Sequence, residues 1–424
     1  MPTRHVPRYS QLGRQVAEHE PVITQLMTMA LAKPNLLSLA AGFTDNRVLP
    51  ADLVSQSVRR LEEASFPPKA YLQYGMNQGR AELRRQVCEQ LAGYPGEETM
   101  ALTPERVLIS NGSQQSLYMS AQLFCDPGDI VLVEAPSYFV FLELLRGLGL
   151  EPRSLPADAE GRVDLDALRD QFAAWEKTGE IRRVKLLYFM GVFANPSARC
   201  WHEADKRALG EFIRELPFSL PVIEDMAYRE LYFRAPWPSR SILALPEWEG
   251  LPALYAGTFT KPFATGLKVG FVASHDETWV GHLARIKGHQ DFGTSNFAQA
   301  VIEDCIREGL YDAHLARIRP HFEDKMRALD EALRAEGLAE LGWRWEIPVG
   351  GLLMWAVAPD GFDTSLESPF CRACLEHEVV YVPGDLCFAE REPRNGVRLS
   401  FGGLDPPNRR EAARRFVAAA RAVS

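Results

Sequence analysis

The amino-acid sequence predicts an α/β fold: a mostly parallel sheet between helices, joined to a smaller α+β lobe. Several short runs are apolar throughout rather than alternating, as strands buried on both faces are. Helical stretches separate these runs, and that alternation builds parallel sheets with helices on both faces. After about residue 310 the chain changes to long charged amphipathic helices and short strands. With 424 residues the chain exceeds one ordinary domain. We expect an N-terminal segment over 1–50, a large domain over 51–310 and a small domain over 311–424.

The first fifty residues are not sheet-like and are expected to pack with the C-terminal lobe. Strand runs follow as "RVLIS" (106–110), "DIVLVEAP" (129–136), "VKLLYF" (184–189), "LPVIEDMA" (220–227), "ALYAGTF" (253–259) and "KVGFVAS" (268–274). Helices are expected at "SQQSLYMSAQLF" and "HEADKRALGEFIREL". The C-terminal lobe opens with "HLARIRPHFEDKMRALDEALRAEG". It continues through "WRWEIP", "GGLLMWAVA", "VVYVPG" and "VRLSFG" to the helix "RREAARRFVAAARAV".

Composition narrows the function. Hydrophobic content of 46% and charged content of 24% are those of a globular protein. A net charge of −9 argues against a nucleic-acid partner, which would call for a basic stripe. No apolar run reaches membrane-spanning length, and the start lacks a signal-peptide core. Seven scattered cysteines suit a reduced, cytoplasmic setting. Cys371, Cys374 and His377 suggest a metal site, but "FCRACLEHE" reads as a helix and no second ligand pair closes a tetrahedron. We expect no metal.

Several motifs carry chemistry. Gly112, Ser113 and Gln114 follow a strand and open a helix, where free N–H groups and the helix dipole favour a phosphate. The plain alternative is a turn with Ser113 as N-cap. Glu224 and Asp225 end a buried strand, where α/β sheets place ligands. A carboxylate there either holds a protonated ring nitrogen or is a solvated acid. Asn195-Pro196 is a turn signal, and Tyr138 is an aromatic at the sheet edge. Arg398 lies in an apolar strand and requires a carboxylate, from a ligand or from a structural acid. In "AGTFTKPFATGLKVGFV", Lys261 and Lys268 are either surface charges or a reactive amine beside an anion-binding cation.

The order and spacing of these motifs resemble the fold type I pyridoxal-phosphate aminotransferases, class I/II, nearest the aminoadipate and kynurenine aminotransferase subgroup. The resemblance runs from "LLSLAAGFTDNRVLP" through "LQYGMNQGRAELR", "GSQQSL", "DPGDIVLVEAPSY", "NPS", "IEDMAYREL", "GTFTK" and "PVGGLLMW" to "RLSFGG". It implies a mixed seven-stranded sheet in the large domain and pyridoxal 5'-phosphate as cofactor. It also implies transamination between an amino acid and a 2-oxo acid by a ping-pong mechanism. Lys261 would form the internal aldimine and carry the proton. Asp225 would hold the pyridinium nitrogen, while Asn195 and Tyr228 bond the ring's 3′-oxygen and Tyr138 stacks on the ring. Gly112, Ser113, Gln114, Thr258, Thr260 and Lys268 would hold the phosphate. Tyr74 would reach the phosphate of a neighbouring subunit, which implies a homodimer with shared active sites. Arg398, with Asn195, would clamp the substrate α-carboxylate. Gly266 and Gly270 would let the backbone turn into the next strand.

Three departures from the family pattern stand out. Lys268 replaces an arginine, so phosphate contact should survive with less geometric fixing. Ser197 and Ala198 stand in "NPSA" for "NPTG", and loss of the glycine suggests a locally different loop. Thr258 and Thr260 replace serines and keep the hydroxyls. The same fold hosts lyases, decarboxylases and other carbanion chemistry, the alternative to transamination. A transcriptional regulator would need a DNA-binding winged helix ahead of this region, for which the chain leaves no room. The segments "RQVAEHEPVITQLM" and "GHQDFGTSN", with Phe43, Phe139 and Phe141, are candidates for the substrate side-chain pocket, although packing is the plainer role for the aromatics.

Overall fold

A computed structural model describes residues 8–10, 13–14, 17, 35–42, 44–64, 69–158 and 161–423. Its strands in chain order are β1 (Leu37–Ser38), β2 (Val107–Ser110), β3 (Ile130–Val133), β4 (Glu151–Ser154), β5 (Val184–Met190), β6 (Val222–Asp225) and β7 (Ala253–Thr258). They continue with β8 (Gly270–Ala273), β9 (Arg344–Trp345), β10 (Leu353–Val357), β11 (Val379–Val380), β12 (Val382–Pro383) and β13 (Gly396–Ser400).

Seven strands form one sheet in the order β2-β8-β7-β6-β5-β3-β4. All pairs are parallel except those of β8, which runs against both β2 and β7. The reason is the short β7–β8 connection. A parallel crossover needs a dozen or more residues, usually with a helix, and the segment between Thr258 and Gly270 carries none. Because β8 alone is reversed, the carboxyl ends of β2, β3, β5, β6 and β7 share one edge, and β8 begins there.

The six strand runs expected from the sequence all become strands; five are trimmed, with β3 stopping three residues short at Val133, and β5 runs one residue longer to Met190. Strands β2, β3, β6, β7 and β8 are buried at every position, as continuous apolar character requires. The seventh strand, β4, has the sequence "EPRS" and no apolar run. It is a half-buried edge strand, so Pro152 removes no central ladder bond, and Arg153 pairs with Glu151 and Glu180.

The second sheet, β12-β13-β10-β9, is antiparallel. The run "VVYVPG" divides into β11 and β12 at Tyr381, so it serves two sheets. The first fifty residues are not free of strand: β1 pairs in parallel with β11. Cys371 and Cys374 are buried in the helix Pro369–Glu376, which Ser368 caps by accepting from the Cys371 N–H. Among the described residues no helix is long and apolar enough to cross a membrane.

Where β8 meets the helix Gly112–Phe124, the backbones touch. A Cβ on Gly270 would lie 2.5 Å from the Gly112 carbonyl carbon and 2.6 Å from the Ser113 nitrogen. Gly112 has φ +68, open to glycine at little cost. Gly266, expected to share the turning role, needs no such freedom: its φ is not positive and a Cβ there meets nothing within 4 Å. Gly270→Ala should therefore destabilise the fold by about 1–3 kcal/mol in denaturant titrations. Gly266→Ala should stay within about 0.5 kcal/mol.

Candidate active site

Five strand ends and the start of β8 surround a cavity of about 130 Å³. From β2 the chain passes Asn111 into the helix Gly112–Phe124. Asn111 holds the N-cap position without a side-chain cap bond, and Ser113 lies inside the first turn, so the plain reading of Ser113 as N-cap does not apply. The first-turn N–H groups have no intrahelical partners, and Gly112, Ser113 and Gln114 line the cavity. Gln115 steadies this turn: its Oε1 accepts from the Asn111 N–H at 2.8 Å and from the buried Lys287 ammonium at 3.0 Å.

Opposite the helix start lies the β7–β8 loop. The Thr258 hydroxyl donates to the Val269 carbonyl at 3.1 Å and accepts from the Thr260 N–H at 3.0 Å. Thr258, Thr260, Lys261 and Lys268 all line the cavity. Lys268 sits exposed on the rim with φ +56, so the Lys-for-Arg departure falls on a left-handed residue. Lys261 donates from Nζ to the Gly42 carbonyl at 3.1 Å. Burial, then the positive charges of Arg398 and Lys268, pull its amine down to about 8.

The carboxyl end of β6 supplies Asp225, which is buried. Its Oδ2 accepts from the Tyr188 hydroxyl at 3.0 Å and its Oδ1 from the Ala227 N–H at 2.9 Å. Burial pushes this carboxyl up to about 6, against the pull of those two bonds. It is the one carboxylate among the residues lining the cavity. Burial likewise raises Tyr228 to about 12, offset in part by a hydrogen bond with Asn195. Tyr138 lines the cavity at the head of the helix Phe139–Gly147.

Asn195 follows β5 and lines the cavity too. Its Oδ1 accepts from Arg398 Nη1 at 3.0 Å, and Arg398 Nη2 donates to the Ala40 carbonyl at 2.5 Å. Arg398 is buried, its Nε has no partner, and its guanidinium lies 5.3 Å from the centre of the Phe139 ring. Among the described residues no Asp or Glu pairs with it, so the structural-acid reading of Arg398 fails. Ala198 adopts φ +57, so the "NPSA" loop keeps a left-handed turn without glycine, at a cost of about 1–2 kcal/mol.

The cavity thus gathers every cofactor-site residue named from the sequence except Tyr74, and Arg398 joins it through Asn195. Tyr74 lies apart: it is 89% exposed, edge-on to Phe292. Phe139 and Phe141 are core residues. Phe43 and most of "RQVAEHEPVITQLM" lie outside the described residues. Sequence reasoning missed Met190, Ala227 and Asn111 on the lining, because they contribute backbone or apolar surface. It also missed Glu134, whose buried carboxyl accepts from the Met190 N–H at 2.7 Å and from Trp201 Nε1 at 3.1 Å, tying β3 to β5. The donor set fits pyridoxal phosphate: first-turn N–H groups, threonine hydroxyls and the Lys268 ammonium suit a phosphate, the Asp225 carboxylate a ring nitrogen, and the Lys261 amine an aldehyde.

Comparison with known proteins agrees. The family described as aminotransferase class I and II matches residues 37–416. The 2-aminoadipate transaminase of Thermus thermophilus is 33% identical over 91% of this chain and 90% of that protein. The aromatic-amino-acid aminotransferase 1 of Thermococcus litoralis is 29% identical over 90% of this chain and 87% of that protein. Among solved structures, the kynurenine aminotransferase of Pyrococcus horikoshii superposes with a TM-score of 0.85 at 26% identity, covering 98% of each chain. The chain belongs to the class I and II aminotransferases: it is a pyridoxal-phosphate-dependent transaminase of fold type I, acting on amino acids and 2-oxo acids.

A prediction concerns the lysine. Only the neutral amine attacks a carbonyl, so capture of a small aldehyde by Lys261, trapped with borohydride in the cofactor-free chain, should rise with pH through about 8 and then level off. Lys268→Met should move that inflection upward by removing one cation. A rate still climbing near 10.5 in the unaltered chain would contradict the assignment.

Proposed function

We propose that Lys261 is the amine on which transamination by this chain turns, with Asp225, Tyr228, Asn195 and Arg398 in the supporting roles the family pattern suggests. The observation that carries the reading is Arg398, a buried guanidinium with no acid partner among the described residues, bonded to an asparagine of the Lys261 cavity. A buried cation without an anion is costly unless a ligand supplies one, and a substrate α-carboxylate fits its fork.

Pyridoxal phosphate supplies a ring that accepts electron density from the substrate α-carbon. Asp225 keeps the ring nitrogen protonated. Asn195 and Tyr228 hold the 3′-oxygen, and Tyr138 covers the ring face. The first-turn N–H groups of Gly112, Ser113 and Gln114, with Thr258, Thr260 and Lys268, bind the phosphate. Lys261 would hold the cofactor through its amine, and the same amine, when free, would carry the proton at the substrate α-carbon. Its amine near 8 suits both duties at neutral pH.

The assembly belongs to the same proposal. The exposed side chains Leu72, Tyr74, Met76 and Phe292 support a homodimer in which Tyr74 reaches the phosphate of the second subunit. We assign 1–50 to a segment packing on the small domain, 51–310 to the cofactor-binding domain and 311–424 to the small domain. The seven cysteines are free, in keeping with a cytoplasmic protein.

The test is a half-reaction. An amino acid added without an oxo acid should convert the bound cofactor once to its amine form, and an oxo acid should restore it. Continued turnover without oxo acid points instead to lyase or decarboxylase chemistry. Lys261→Ala should abolish turnover and covalent attachment together. Lys268→Ala should weaken cofactor affinity about tenfold, with turnover at saturating cofactor changed by only a few fold. Unchanged affinity would remove Lys268 from the phosphate site.

A further inference from the structure

The chain buries a tyrosine that the roles above leave unused. Tyr188 lies in β5, is fully buried, and packs its ring against Phe141 at 4.3 Å between centroids. Its neighbour across the ladder is Ile223, two residues before Asp225. From there its hydroxyl reaches Asp225 Oδ2 at 3.0 Å. Burial and the nearby carboxylates hold the phenol well above its usual range, so the hydroxyl stays protonated and donates.

We propose that Tyr188 is a positioning residue for the cofactor: its hydroxyl holds the Asp225 carboxylate ionised and oriented toward the ring nitrogen. The proposal rests on the reading of Asp225 as the ring-nitrogen partner.

The argument is geometric. A carboxylate in a dry site must be held by donors or it takes up a proton. Among the described residues Asp225 has two, one on each oxygen: the Ala227 N–H belongs to its own chain turn, while Tyr188 comes from the adjacent strand. Together they hold both oxygens of a carboxylate that lines the cavity. Burial already pushes this carboxyl up to about 6, so losing one of two donors moves it toward neutrality in the working pH range. A neutral Asp225 cannot keep a ring nitrogen protonated. Tyr188 is not on the cavity lining; it acts through Asp225.

The test compares two aldehydes on the full chain, resolved of cofactor and reloaded: pyridoxal phosphate, and its 1-deaza analogue with CH in place of the ring nitrogen. Tyr188→Phe should weaken pyridoxal phosphate about tenfold, the size expected for a hydrogen bond to a charged group. Binding of the deaza analogue should be unaffected. The change should vanish in an Asp225→Asn background. Equal weakening toward both aldehydes, or no weakening toward either, overturns the proposal, since a purely structural tyrosine cannot tell the ring atoms apart. If Asp225→Asn itself fails to discriminate between the two, the ring-nitrogen reading of Asp225 falls instead, and the Tyr188 proposal with it. Should phenylalanine at 188 fail to fold, Tyr188→Leu reads the same ratio.

Discussion

The close backbone contact between Gly270 and Gly112-Ser113 is the constraint on which the site depends. It sets the first turn of one helix directly against the start of β8, with no side chain between. The β7–β8 loop closes across the carboxyl edge of the sheet. Lys261 and Lys268 ride on that loop, and the two threonine hydroxyls are tied back to Val269. A sheet reversed at a single strand thus brings an amine and an anion-binding helix start within one small cavity.

Burial then tunes the groups gathered there. Withdrawal from water disfavours charge, so it lowers Lys261 and Arg398 and raises Asp225 and Tyr228. For a lysine proposed to act as nucleophile and base, the shift is useful. For an aspartate proposed to stay ionised it is a cost, which two hydrogen bonds oppose. The same solvent exclusion therefore helps one residue and obliges the fold to support another.

The N-terminal segment completes the site with backbone. Ala40 and Gly42 present carbonyls to Arg398 and Lys261, so a cavity amine and the guanidinium behind Asn195 each gain a backbone acceptor. A few residues on, Asp45 anchors the segment to the helix Leu310–Ala335. It accepts from Lys325 at 2.7 Å and from His321 at 3.0 Å, and it also pairs with Arg47. Those donors hold the Asp45 carboxyl well below the usual carboxylate range against the penalty of burial.

By itself the sequence determined the fold class, six of the seven strands of the large sheet and nearly every side chain around the cavity. Buried parallel strands need continuous apolar runs, which are visible as strings of letters, and the side chains around the cavity were legible through the ordered motifs that resemble the family. The edge strand β4 escaped because a half-exposed edge tolerates "EPRS". Tertiary structure alone decided that no described carboxylate holds Arg398, which glycine carries the close contact, and that Tyr188 hydrogen-bonds Asp225. Each of these depends on distances between segments far apart in the chain, or on adjacent strands, and local pattern carries no such distance. The identity of the residues was local; their electrostatics and their partners were set by which strand ends the sheet brought together.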